Sequence, residues 1–150
     1  DRFESRGLGD VYKRQITEAD TVVIDLGTAT TFDVVSKNKE YLGGSIAPGI
    51  KISLDALTLK TASLKSVELD TPNKVIGKNT YEAIQSGLIM GHASMIDSMV
   101  EKIILEIDIE PKIILTGGLS KVVQPILNVN VEYIENLTLV GLEEIFKLNN

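Results

Sequence analysis

Apolar positions along the chain change period several times, and each change marks an element. Thr21–Asp25 (TVVID) is a short β-branched run, the pattern of a strand covered on both faces. Gly27-Thr28-Ala29-Thr30 is a turn of small residues, and Thr31–Ser36 then alternates as a second strand. Lys37-Asn38-Lys39 forms a hairpin tip, and Glu40–Ala47 returns as a third strand. Pro48-Gly49 breaks the chain. Ile50, Leu54, Ala56 and Leu57 predict a helix over Ile50–Lys60. Ser63–Val75, which contains Pro72, reads as a loop. A long helix runs from Asn79 or Thr80 to about Ile107, with Glu82 close to the capping-box position. After Pro111 come a strand at Lys112–Leu115, a turn at Thr116-Gly117-Gly118 and a short helix over Leu119–Leu127, interrupted by Pro125. Val129–Ile134 predicts a strand and Leu139–Leu148 a closing helix.

A three-stranded meander followed by alternating helices and strands is an α/β pattern: a mixed sheet with helices packed on it. At 150 residues the chain suits one domain or one piece of a larger protein. Its 43% hydrophobic and 24% charged residues are globular proportions. A net charge of −6 argues against a nucleic-acid backbone binder. No apolar run approaches the ~18 residues of a membrane span, and no signal-peptide pattern is visible, so a cytoplasmic protein with no membrane contact is expected. The absence of cysteine removes disulfides, thiolate zinc sites and cysteine nucleophiles. The single histidine, His92, leaves no histidine cluster and reads as an ordinary helical residue. Residues 1–15, DRFESRGLGDVYKRQ, carry seven charges with no period and resemble a translated adaptor. They are expected to be a non-native leader, with the domain spanning 16–150.

Two stretches have the composition of a nucleotide site. In Asp25–Asp33 (DLGTATTFD), Gly27 allows close backbone approach, and Thr28, Thr30 and Thr31 supply hydroxyls. Successive N–H groups in such a turn can cradle a phosphate. Asp25 would repel that phosphate unless a cation lay between them. The plainer reading is a Thr-rich hairpin turn. In Ile113–Gly118, a strand ending in Thr-Gly-Gly would let a ligand lie against bare backbone, or be an ordinary strand-to-helix turn. Gly87 and Gly91, four apart in the long helix, cost ~1 kcal/mol each against alanine, which points to close packing by the sheet or a partner helix. That helix is apolar over more than the ~100° that one sheet contact needs, so self-association through it is expected. Glu101, Glu106, Asp108 and Glu110 read as a solvated face.

The strings DLGTATTFDVV, GGSIAPGI, GKNTYEAIQSGLIMG, ILTGG and LTLVGLEEIF, in this order over about residues 20–148, resemble the second half of type III pantothenate kinases. The resemblance implies a ribonuclease-H-like domain of the sugar-kinase, heat-shock-protein and actin superfamily, here the C-terminal one of two. It implies a homodimer that transfers the γ-phosphate of ATP to pantothenate, giving 4'-phosphopantothenate in the first step of coenzyme A synthesis. A monovalent cation, K+ or NH4+, would be required, with Mg2+ accompanying the nucleotide. On matching positions, Asp25 becomes the cation ligand, Thr28 a nucleotide-phosphate contact and Thr80 a pantothenate contact that reaches the partner subunit's site. An N-cap role for Thr80 is compatible with this.

The chain departs from the family in three places. It has no Asp-x-Gly-Asn-Thr phosphate loop. No Gly-x-Asp-Arg segment stands twenty residues before Asp25; Ser5 occupies the position of the general base, and Asp1-Arg2 is out of register. No catalytic base is therefore assigned, and the base is expected in an upstream segment. Ser63-Leu64-Lys65 lacks the family's proline. The alternatives are a non-enzymatic accessory or regulatory relative of the same fold and, less favoured, another ATPase of the superfamily.

Overall fold

The computed structural model describes residues 19–59 and 67–137. The elements run β1 (Thr21–Leu26), β2 (Ala29–Val35), β3 (Tyr41–Pro48), α1 (Ile50–Thr58), α2 (Thr80–Ile107), β4 (Lys112–Thr116), α3 (Ser120–Val123), a 3-10 turn (Gln124–Ile126) and β5 (Glu132–Tyr133). The five strands form one mixed sheet in the order β3-β2-β1-β4-β5. The first three make the expected antiparallel meander, and β4 and β5 add in parallel beside β1. The leader at 1–15, the Ser63-Leu64-Lys65 stretch and the closing helix expected at Leu139–Leu148 lie outside the described residues.

β1 is bonded on both sides and covered on both faces, which is why its sequence is a nearly continuous apolar run. Val22, Ile24 and Leu26 join Phe32, Val34, Ile113 and Leu115 in the main core against Ile89, Ala93, Ile96 and Val100 of α2. Those four α2 residues recur at helical spacing as one stripe. On the other face, Val23 and Ile114 pack with Leu137 and half-buried Ile134.

The ends of α2 follow from local chemistry. Asn79 is the N-cap, and its side chain accepts from the Glu82 N–H, while the Glu82 carboxylate accepts from the Lys78 N–H at 2.8 Å. Thr80 is thus the first helical residue rather than the cap. Asp108 closes the helix in the left-handed region at φ 53. Glu101, Glu106, Asp108 and Glu110 are exposed, as expected. Leu105 is 80% exposed, and a Cβ added at Gly87 or Gly91 would meet nothing within 4 Å. Among the described residues, then, no element explains the two glycines by close approach. No helix among them is long and apolar enough to cross a membrane.

Several expected boundaries move: β2 begins at Ala29, inside the expected Gly27–Thr30 turn, and α1 ends at Thr58. Pro125 turns the predicted Leu119–Leu127 helix into α3 followed by the 3-10 turn. The predicted strand Val129–Ile134 shortens to two residues, because backbone amides before it are bonded elsewhere. Buried Asp97 of α2 accepts from the Asn128 N–H at 3.0 Å, the Val129 N–H at 3.1 Å and the Asn128 side-chain amide at 2.8 Å. Those amides point at a carboxylate, not at a neighbouring strand. Removing the carboxylate would strand several partly buried donors. Asp97→Ala should lower stability by about 2–4 kcal/mol, read as a drop in the urea midpoint at unchanged slope, and Asp97→Asn by less. An unshifted midpoint for Asp97→Ala would show that the clamp carries no stability.

Candidate active site

Asp25, one residue before the end of β1, stands opposite Thr31 of β2 and Thr116 of parallel β4. Residues opposite one another share a sheet face, so these three lie on the face of Val23 and Ile114, away from α2. The chain leaves β4 through Gly117, whose φ is +100. A Cβ there would stand 2.6 Å from Asp25 Oδ1 and 2.6 Å from both N and C of Leu26. Only glycine can take this path: a side chain would be strained by the backbone and would collide with β1. The turn is held by the Leu119 N–H donating to Leu26 O (3.4 Å), the Ser120 N–H to Gly117 O (3.2 Å) and the Ser120 hydroxyl to Thr116 O (2.6 Å). Sequence-predicted Asp25 and the Thr-Gly-Gly turn, ninety residues apart in the reading, therefore form one place.

A cavity of about 430 Å³ opens there, within the size range of small-molecule sites. Asp25, the Thr116–Gly118 turn, Lys121, Tyr133, Glu135 and Asn136 line it. Lys121 Nζ pairs with Glu135 at 2.7 Å and lies 5.8 Å from the centre of the Tyr133 ring. The Glu135 carboxylate, through its hydrogen bond and then its charge, holds the Lys121 ammonium above the ordinary lysine range. Because the lysine pKa is raised, the stabilisation is present at neutral pH and is lost as pH rises through the lysine's own titration.

Thr28 is exposed at the β1–β2 turn, three residues from Asp25. The Pro48-Gly49 break packs against this turn: a Cβ at Gly49 would lie 2.2 Å from Thr28 O. His92 helps fix that approach. Its two ring nitrogens lie 3.1 Å from Leu88 O and 3.2 Å from Pro48 O, and a neutral ring can donate to only one of them. Thr80 is elsewhere, exposed at the first turn of α2. The cavity of about 450 Å³ near that helix start is lined by residues 70–74, 76–78, Glu82 and Gln85, and it shares no wall with the Asp25 cavity. The structure thus brings Asp25 together with the Thr-Gly-Gly turn, sets Thr28 on the adjoining turn, and does not bring Thr80 to Asp25.

One half-buried carboxylate, Asp25, beside the glycine turn carries a single charge, which would suit a singly charged cation. Among the described residues no group of three His, Cys, Asp or Glu stands ready to hold a metal ion. Mg2+ is commonly held by one or two carboxylates together with substrate phosphates, which suits arrival with a nucleotide. Lys121, Tyr133, Glu135 and Asn136 were not singled out in the sequence, and no local motif marks them. Nothing local in DLGTATTFD marks a role for Asp33, and strand register is what gives it one.

The sequence profile of the type III pantothenate kinase family matches residues 8–102. The chain belongs to that family. A type III pantothenate kinase from Anaeromyxobacter sp. (strain K) is 45% identical over 128 residues, covering 85% of this chain and 50% of the relative. One from Syntrophus aciditrophicus (strain SB) is 46% identical over 140 residues, covering 93% and 53%. The chain spans about half the length of the curated kinases it matches. Among solved structures, a conserved Baf family protein from Campylobacter jejuni, named as a candidate transcriptional activator, is 26% identical with a TM-score of 0.61 over 91% of this chain and 61% of its own. The Alp12 filament protein gives a TM-score of 0.62 at 16% identity over 95% and 51%. The fold is ribonuclease-H-like, a mixed sheet with helices packed on it.

The two glycines of the Thr-Gly-Gly turn are not equivalent. Gly117→Ala should cost about 2–4 kcal/mol from strain and overlap together. Gly118, where a Cβ meets nothing within 4 Å, should accept alanine within about 0.5 kcal/mol. Denaturant midpoints of the two variants check this, and equal losses would contradict it.

Proposed function

We propose that the parent protein is a pantothenate kinase and that this chain is its C-terminal ribonuclease-H-like domain. The observation that carries the reading is the meeting of Asp25 with the Thr116–Gly118 turn, in a chain about 45% identical to curated kinases. The pantothenate hydroxyl oxygen attacks the γ-phosphorus of ATP, the bond from that phosphorus to the β-phosphate oxygen breaks, and ADP leaves. The hydroxyl proton goes to a base supplied from outside the residues assigned here. Catalysis of this kind rests on positioning and charge neutralisation. Asp25 holds K+ or NH4+, which offsets phosphate charge. Thr28 and the amides of its turn contact the phosphates, with Mg2+ accompanying the nucleotide. The Asp25 cavity takes the nucleotide. Thr80 contacts pantothenate in the site of the partner subunit, and separation of Thr80 from the Asp25 cavity within one chain supports that arrangement.

The homodimer forms through α2, whose exposed Leu105 and open face at Gly87 and Gly91 await a partner. The protein works in the cytoplasm without nucleic-acid or membrane contact. The similarity to the Baf family protein favours a second reading, a regulatory relative that keeps the fold and has no transfer activity. An upstream Asp-x-Gly-Asn-Thr loop and Gly-x-Asp-Arg base in the parent sequence would decide for the kinase, and their absence for the regulator.

In the parent, Asp25→Ala should abolish monovalent-cation activation and raise the apparent KM for ATP; normal potassium dependence in steady-state assays would overturn the assignment. This chain alone should show no pantothenate-dependent ATP turnover, since loss of a general base alone costs ~10²–10⁴-fold. Sedimentation should find it dimeric and find the Gly87→Leu/Gly91→Leu variant monomeric. A native chain monomeric at ~100 μM, far above the dissociation constant of a stable dimer, would sink the α2 interface.

A further inference from the structure

We propose that Asp33 is a positioning residue for the cation seat, holding the Thr31 hydroxyl so that its oxygen rather than its proton faces Asp25. The inference rests on the reading of Asp25 as the cation ligand.

Strand register sets up the arrangement. Thr31 lies opposite Asp25, and Asp33 lies opposite Val23, so all three side chains rise from one sheet face. The Thr31 hydroxyl donates to Asp33 Oδ2 at 3.3 Å, and the Tyr41 hydroxyl donates to Asp33 Oδ1 at 3.1 Å. Both bonds are longer than the ~2.7–2.8 Å typical of O–H···O. Both carboxylate oxygens thus accept a hydroxyl proton.

Tyr41 reaches Asp33 because β3 is irregular. Gly43 pairs with Val34, so a regular ladder would set Leu42 opposite Val35, on the Asp33 face. The register shifts between Val34 and Val35, and Tyr41 takes that place instead. Gly43, at φ +123, supplies the backbone conformation for the shift. The bulge exchanges a leucine for a hydroxyl on the face that carries both aspartates, the re-aiming that bulges perform beside active sites.

The consequence for Thr31 follows from its inventory of one proton and two lone pairs. A threonine beside a single carboxylate would donate to it, placing a proton where a cation belongs and occupying one of the carboxylate's lone pairs. With its proton drawn to Asp33, Thr31 turns a lone pair towards the Asp25 side. The seat then gains a neutral oxygen donor.

Potassium binding to this chain is the direct test. It is read as the K+-dependent rise in Tm against choline at equal ionic strength, and as the shift of the ²⁰⁵Tl resonance on adding Tl+. Circular dichroism checks that each variant is folded. Asp33→Asn and Thr31→Val should each weaken K+ at least ~10-fold, as loss of an outer partner of a metal site does. The double variant should be no weaker than Thr31→Val alone, because both changes remove one oxygen donor. Thr31→Ser, which keeps the hydroxyl, should bind like the native chain. Native-like K+ binding by both single variants while Asp25→Ala loses it would overturn the role of Asp33 and leave the cation reading standing. Loss in Asp33→Asn without loss in Thr31→Val, or additive losses in the double variant, would also overturn it. A native chain with no K+-specific response, or Asp25→Ala with undiminished binding, would overturn the cation reading and this inference with it.

Discussion

β1 has neither a free edge nor a free face, since β2 and β4 bond its two sides, α2 covers one surface, and Leu137 with Ile134 covers part of the other. The parallel pairing with β4 is the constraint on which the site depends. It sets Asp25 opposite Thr116, so the carboxylate stands where β4 ends and the chain must turn. A one-residue slip would move Asp25 to the α2 face and a core residue to the cavity. Burial on both faces forbids that slip, because Val22, Ile24 and Leu26 on one side and Val23 on the other would all exchange surroundings. The precision of a polar site is here a by-product of apolar packing.

α2 serves the sheet in three ways along its length. Its first turn is stabilised by Asn79 and Glu82, which leaves the Thr80 hydroxyl out of the capping scheme and available at an exposed helix start. Its middle packs against β1 and β4, and His92 reaches across to Pro48 beside the Thr28 turn. Asp97 grips Asn128 and Val129 and so aims the chain into β5, which carries Tyr133 to the cavity wall.

Much of the fold was legible because its signals are local. Asn79, Glu82 and Asp108 mark the ends of α2 by short-range hydrogen bonding, and TVVID announces a doubly covered strand by composition alone. β5 was overestimated because Asp97 takes its flanking amides, an interaction with a residue far back in the sequence. The site was legible as strings, and the roles of Asp25, Thr28 and Thr80 came from the family resemblance. That Asp25 touches the Gly117 turn, that Asp33 faces Thr31 and Tyr41, and that Lys121 pairs with Glu135 beside the Tyr133 ring are facts of register and packing. No periodicity encodes them. Gly87 and Gly91 have the spacing of packing glycines, yet among the described residues nothing packs on them.

The β1–β4 junction also separates two kinds of freedom. Thr21 meets Lys112 only after the meander, α1, the segment from Val67 to Asn79 and α2 have intervened. Closing so long an excursion is an entropic cost that depends on the logarithm of its length, about 0.6 kcal/mol for each doubling. The detour is therefore nearly indifferent to its own length, while its two ends are held by strand pairing beside a glycine that no other residue can replace. Insertions and deletions have room along the excursion, and substitution has almost none at its ends.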